Sequence, residues 1–296
     1  MIIAEIIGGL GNQLFEYANA KALALKLNQE LFFDLSFFDE YHRKDVYRLD
    51  EFNTTINVSE SKYINKLKRK IIKPDLLRWG LKKLGASGFY SKSNHFDEHW
   101  FDINDINNLK RKKDLYISGY FDDQSYFENI KEILRQEFTL KNPLNNDNKN
   151  FQFLINDSKN SVGIHIRRGD YINNGYFAQL PISYYQTAVN YIESHYPEST
   201  YFIFSDDLLW VKKNFNLTPK TIFIDINDEA TDFMELILMA SCKHNIIANS
   251  TFSWWGAWLN NNPDKIVIAP KYWFKNPAAK AKYESGHLVP SNWKKI

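Results

Sequence analysis

The stretch SVGIHIRRGDY, Ser161 to Tyr171, sets two adjacent arginines, a glycine and an aspartate directly after a short apolar run. A guanidinium is planar, permanently charged and able to grip two phosphate oxygens at once. Placed where a strand ends, Arg167 and Arg168 stand at the carboxyl edge of a sheet, which is where open α/β sheets bind ligands. Gly169 permits a tight exit turn, and Asp170 puts a carboxylate beside the cations. Two readings follow. The group is an anion clamp for a phosphorylated ligand, or it is an Arg–Asp pair that fastens a loop.

Two further groups of residues favour the clamp. Asp232 opens the apolar helical stretch after TIFIDI, and Ser250, Thr251 and Phe252 lie where NIIANS turns into another helix. Hydroxyls and free N–H groups at a helix N-terminus attract anions, helped by the helix dipole. Arginines facing such a terminus make a diphosphate cradle that needs no metal. A carboxylate nearby can accept from N1–H and the exocyclic amine of guanine, a donor pair that adenine lacks on that edge. Each residue also has a plainer role: Asp232 as a favourable helix charge, Ser250 as an N-cap.

Other combinations suggest other chemistry. Gly9 and Gly11 before a helix, with Asp34 after the next strand, are spaced like a dinucleotide fingerprint and suggest a nicotinamide oxidoreductase. Leu14, however, fills the third glycine position. The pairs Asp206–Asp207 and Asp225–Asp228 suggest a metal-dependent transferase, although acids after a strand more often cap helices. His95 and His99 flank Asp97 and Glu98 without the HExxH order, so no metal site is read there. Arg168-Gly169-Asp170 spells the adhesion tripeptide, but behind a buried strand it is a poor ligand.

These residues need a scaffold, and the pattern supplies an α/β one. IIAEII, a glycine turn, a helix from Asn12 to Leu27 and ELFFD form a βαβ unit. DLYISGYF reads as a strand and Gln124 to Phe138 as an amphipathic helix. Beyond the polar segment Asn142 to Asn150, strands and helices alternate to KIVIAP, as in a parallel sheet wrapped by helices. The expected division is 1–150 and 151–296, with the polar segment as hinge. At 296 residues and 44% hydrophobic content the chain can fill two such cores. A net charge of +2 does not call for nucleic acid. The single Cys242 excludes an internal disulfide framework, and no signal or spanning segment is read, so the expected location is cytoplasmic. The basic, partly apolar run Lys66 to Lys83 is either a solvated face or a weak contact with an anionic membrane surface.

The motifs IIGGLGNQLFEYA, HIRRGDY and NSTFSWWGAWL resemble those of the bacterial α-1,2-fucosyltransferase family, glycosyltransferase family 11, from end to end of the chain. The resemblance implies a GT-B-like fold, two Rossmann-like α/β domains facing a cleft. It also implies inverting transfer of L-fucose from GDP-fucose to the 2-OH of a β-galactoside acceptor, with neither metal nor other cofactor. It places Arg167 on the pyrophosphate, His165 and Asp232 near guanosine, and Ser250 and Thr251 on the phosphates. Gly11, Asn12 and Gln13 would face the cleft from the N-terminal domain. Fucose carries a methyl in place of CH₂OH, which Phe252, Trp254 or Trp255 would pack, with core packing the expected job of at least two of them. The α-1,6 relatives carry a glutamate beyond the arginine motif. Here that place reads INNGY, so Asp170 is the first candidate for the general base.

Overall fold

The computed structural model describes residues 1–40, 46–68, 95–97, 114–172, 174–215, 220–277, 279–280 and 288–296. Most of the basic run 66–83 therefore lies outside the described residues, as do Glu98 and His99. The chain forms two compact units, Met1–Phe121 with Ser125–Phe138, and Thr139–Ile296 with Asp122–Gln124.

The first unit carries a parallel sheet of four strands, β1 (Ile2–Glu5), β2 (Leu31–Asp34), β3 (His95–Asp97) and β4 (Leu115–Ser118), in the order β2-β1-β4-β3. Helix α1 (Leu10–Leu27) starts two residues before its expected position. Gly8, at φ +72, makes the turn that leads into it. Short helices α2 (Ser36–Glu40), α3 (Ser61–Leu67) and α4 (Lys131–Glu137) complete the unit. Two expected elements are shorter than read. β4 stops at Ser118 because Gly119 and Phe121 take φ of +122 and +45. The helix read from Gln124 opens as two 3₁₀ turns and becomes α-helical only at Lys131. His95, read beside a metal-like acid cluster, lies instead in β3, with Nε2 2.8 Å from Ser118 Oγ.

The second unit is built on six parallel strands: β5 (Ser161–Ile166), β6 (Thr200–Ser205), β7 (Thr221–Phe223), β8 (His244–Ile246), β9 (Val267–Ala269) and β10 (Lys294–Lys295). Their order is β10-β9-β8-β5-β6-β7. The first strand is thus central, with the second and third to one side and the fourth to sixth on the other. That is the Rossmann order, and its direction reverses between β5 and β8. Helix α5 (Asn146–Asp157) precedes the sheet, and helices α6 (Ile182–His195), α7 (Leu208–Asn214), α8 (Asp232–Ser241) and α9 (Thr251–Leu259) lie between successive strands from β5 to β9. The polar segment read as a hinge includes the first turns of α5, capped where Asn145 Oδ1 accepts from Asn148 N. Asn148 and Asn227 exchange two amide hydrogen bonds of 2.9 and 3.0 Å, tying α5 to the loop before α8.

The sheet separates two cores. Ile164, Ile166, Tyr201 and Ile203 pack with Tyr184, Tyr185 and Ile192 of α6 and Val211 of α7. Phe202 and Phe204 pack on the opposite face with Ile155 of α5, Leu238 and Met239 of α8, and Cys242 just beyond that helix. Every residue of β5 is buried, as a central parallel strand demands. Each fully buried side chain of this size contributes roughly 1.5–3 kcal/mol. Gly256 lets α9 approach α8, since a Cβ there would lie 3.0 Å from Met239 Cβ. Among the described residues no helix is long and apolar enough to cross a membrane.

Candidate active site

Side chains alternate along a strand, so β5 sends His165 and Arg167 to one face and Ile164, Ile166 and Arg168 to the other. The two arginines, expected to act as one clamp, are separated by this alternation. Arg168 lies over Trp210 of α7, its Cζ 3.4 Å from the ring centroid, and its Nε faces Asp207 Oδ2 at 3.3 Å. That guanidinium anchors α7. Arg167 stays at the strand end. Its Nε and Nη2 donate to Asp170 Oδ1 at 3.1 and 2.8 Å, and Nε lies 3.1 Å from Asp206 Oδ2. Two carboxylates therefore fix one edge of the fork, while Nη1 has no partner among the described residues.

Asp206, at the end of β6, also accepts the Arg168 backbone N–H at 2.8 Å. Gly169 makes this arrangement possible. A Cβ at that position would sit 2.6 Å from Asp206 Oδ2, too close for any side chain. Gly169→Ala is therefore expected to displace Asp206 and loosen Arg167, lowering turnover by at least tenfold while the fold is retained. Steady-state kinetics with circular dichroism checks this, and a near-normal rate would show that the turn adjusts freely.

His165 is only 4% exposed, and its Nδ1 has no hydrogen-bond partner. Burial, and then the charge of Arg167, push the imidazole down to about 3, so it is neutral near pH 7. A buried ring nitrogen without a partner is costly, and a ligand group can satisfy it. Phe252 of α9 lies beside it, ring centroids 5.6 Å apart, joining the end of β5 to the turn after β8. In that turn Ser250 is the N-cap of α9, yet its side chain makes no capping hydrogen bond. Its hydroxyl is therefore not committed to its own helix, contrary to the plain N-cap reading. Thr251 is the first residue of that helix.

Asp232 begins α8, as expected, and the next acid on that helix face is Glu235, which the sequence reading passed over. Burial raises the Glu235 carboxyl to about 8, with Asp232 and Asp206 adding repulsion. Because Asp206 also pairs with Arg167, the same acid links Glu235 electrostatically to the clamp. The signal was present in the sequence: one acid inside the apolar run FMELILMA, three residues after another.

Several candidates serve the fold instead. Gln13, expected to face a ligand, is fully buried; its Nε2 donates to Gly8 O and Val46 O, and its Oε1 accepts from Arg48 N. Gly11 and Asn12 lie in the first turn of α1, in the N-terminal unit, and Gly11 is buried. Trp254 and Trp255 are fully buried core, with Trp254 Nε1 donating to Leu288 O. Asp34, the supposed ribose acid, is inaccessible and accepts from Tyr116 Oη and Ser36 N. Of the acid pairs, Asp207 caps α7, Asp225 pairs with Lys212, and Asp228 closes a turn on Ala230 N and Thr231 N.

The sequence model of Glycosyl transferase family 11 matches residues 1–296. The chain belongs to glycosyltransferase family 11. Among its relatives, the O-antigen biosynthesis glycosyltransferase WbnK of Escherichia coli is 34% identical over 90% of this chain and 93% of its own length. The alpha-1,2-colitosyltransferase of Escherichia coli is 32% identical over 100% and 99%. A galactoside 2-alpha-L-fucosyltransferase of Bos taurus is 27% identical over 48% of this chain and 41% of its own. The crystal structure of NodZ alpha-1,6-fucosyltransferase co-crystallized with GDP superposes with a TM-score of 0.53 at 13% identity, covering 86% of this chain and 90% of that one. This likeness concerns the fold: the two parallel α/β units of this family 11 chain are GT-B-like.

Proposed function

We propose that the chain transfers L-fucose from GDP-fucose to the 2-OH of a terminal β-galactose, with inversion and without a metal ion. The observation that carries this is the pairing, where the strand order reverses, of a fixed Arg167 fork with the unsatisfied Nδ1 of His165. In the reaction the acceptor oxygen attacks the anomeric carbon, the bond from that carbon to phosphate oxygen breaks, and GDP leaves with the electron pair. Arg167, Ser250, Thr251 and the N-terminal amides of α9 stabilise the charge growing on the diphosphate. His165, Asp232 and Glu235 hold the guanosine. Phe252 lies against the sugar. Asp170 takes the acceptor proton through Oδ2, since only its Oδ1 is engaged by Arg167. In this reading the C-terminal unit binds the donor.

The fucosyltransferase and colitosyltransferase relatives leave two sugars to separate, which differ in whether a 3-hydroxyl is present. The expected result is transfer from GDP-fucose to a β-galactoside, read as a 1→2 product linkage, with activity surviving excess chelator. A preference for GDP-colitose would make colitose the donor. Loss on chelation with rescue by Mn²⁺ or Mg²⁺ would overturn the metal-free mechanism.

A further inference from the structure

Beyond the clamp, a chain of aromatic rings runs from Arg167 to the surface of the C-terminal unit. The Arg167 Cζ lies 5.6 Å from the Tyr171 ring centroid, and Tyr171 stacks on Phe177 at 4.3 Å and 4°. Phe177 lies 5.6 Å from Phe274, and Tyr176 stands edge-on to both, at 5.2 and 5.3 Å. Tyr171 is buried, but Tyr176 is 46% exposed.

The exposed ring is held in place. Its backbone carbonyl accepts from Lys275 N and Asn276 N at 2.9 and 3.2 Å, and its N–H donates to Asn174 Oδ1 at 2.8 Å. Buried Asn249 ties the two loops together, donating from Nδ2 to Ala178 O and Trp273 O. Phe177 and Phe274 form an antiparallel bridge. The Tyr176 hydroxyl has no partner among the described residues. Core packing does not require an exposed ring to be fixed so thoroughly. A ring fixed before its ligand arrives loses little entropy on binding.

We propose that Tyr176 is a stacking platform for the galactose ring of the acceptor, which it holds beside the Arg167 clamp. The proposal rests on the glycosyl-transfer reading above and adds the residue that selects the acceptor. The axial 4-hydroxyl of galactose leaves three C–H bonds together on one face, an apolar and slightly positive patch. An aromatic face is negative and apolar, so the two surfaces match. The ladder puts this surface on the donor-binding unit, within three ring contacts of the guanidinium.

Methyl β-D-galactopyranoside is the probe, used with Tyr176→Ala, Tyr176→Trp and Tyr176→Leu. The expected result is a rise of tenfold or more in the KM for the galactoside in the alanine and leucine variants. The tryptophan variant should stay near wild type, and the Kd for GDP should be unchanged in all three. Saturation-transfer NMR should show magnetisation passing from aromatic protons to the C3, C4 and C5 protons of the galactoside, and should lose it in Tyr176→Ala. An unchanged KM in Tyr176→Ala, or rescue by leucine as complete as by tryptophan, would overturn the platform. If the wild-type protein binds GDP yet transfers neither fucose nor colitose, the glycosyl-transfer reading fails. The NMR signal then decides the platform separately, its absence from wild type or its survival in Tyr176→Ala counting against it.

Discussion

Arg167→Lys should lose nearly as much kcat as Arg167→Ala, on the order of 10²–10³-fold, the usual effect of removing one preorganised donor to a developing anion. The reason lies in how the fork is held. Asp170 and Asp206 occupy Nε and Nη2, so the guanidinium plane is set before any ligand arrives, with Nη1 left without a partner among the described residues. A lysine ammonium keeps the charge but has no second edge. Between the same two carboxylates it would bond to them and offer nothing outward. Because the interaction strengthens as charge moves to the diphosphate, kcat should fall more than KM changes. Kinetics on both variants, with circular dichroism to confirm folding, makes the comparison. Near-normal turnover in the lysine variant would remove Arg167 from leaving-group stabilisation.

What the sequence disclosed about this site follows from how local each signal is. β5 and its exit turn are contiguous, so HIRRGDY declares a strand, two cations and an acid within one window. The alternation of β5 also determines which arginine faces which core, but only once the helices on each face are known. Arg168 belongs to Trp210 and Asp207, distant in sequence, and no local pattern announces that stacking. Gln13 misled for the converse reason. A polar side chain in a glycine-rich turn looks available until its acceptors, Gly8 O and Val46 O, are located. The two-residue edge strand Lys294–Lys295 has no apolar alternation to reveal it. Its pairing with Val267–Ala269 is a tertiary event. The helix read from Gln124 shows the same limit: its apolar spacing is right, but the first two turns close as 3₁₀.

Glu235 is an acid whose surroundings change its chemistry, and it carries a prediction in pH. Its carboxyl is raised from 4.5 to about 8, first by burial and then by Asp232 and Asp206. An acid with a raised folded-state value stabilises the native state fully below its unfolded value, and that contribution is lost as pH rises toward about 8. The free protein should therefore lose thermal stability between pH 5 and pH 8 more steeply than Glu235→Gln does. Guanine N1–H and its amine are donors, so they require the ionised carboxylate. Binding must then release a proton below pH 8, and affinity should improve with pH until Glu235 is ionised. The steepest slope available to a single proton is tenfold per pH unit. Guanosine is the cleaner probe, because the phosphates of GDP have their own ionisation near pH 6. His165, down at about 3, stays neutral throughout and adds no slope. Calorimetry in buffers of different ionisation enthalpy counts the released proton directly. In Glu235→Gln the pH slope should vanish, and guanosine affinity should fall about 10–100-fold, the range for one hydrogen bond to a charged group. Asp232→Ala provides the comparison, since removing that charge should let Glu235 ionise at lower pH and shift the slope to lower pH with it. If Glu235→Gln keeps the wild-type slope and affinity, the guanine is read elsewhere and Glu235 is only a buried acid of α8.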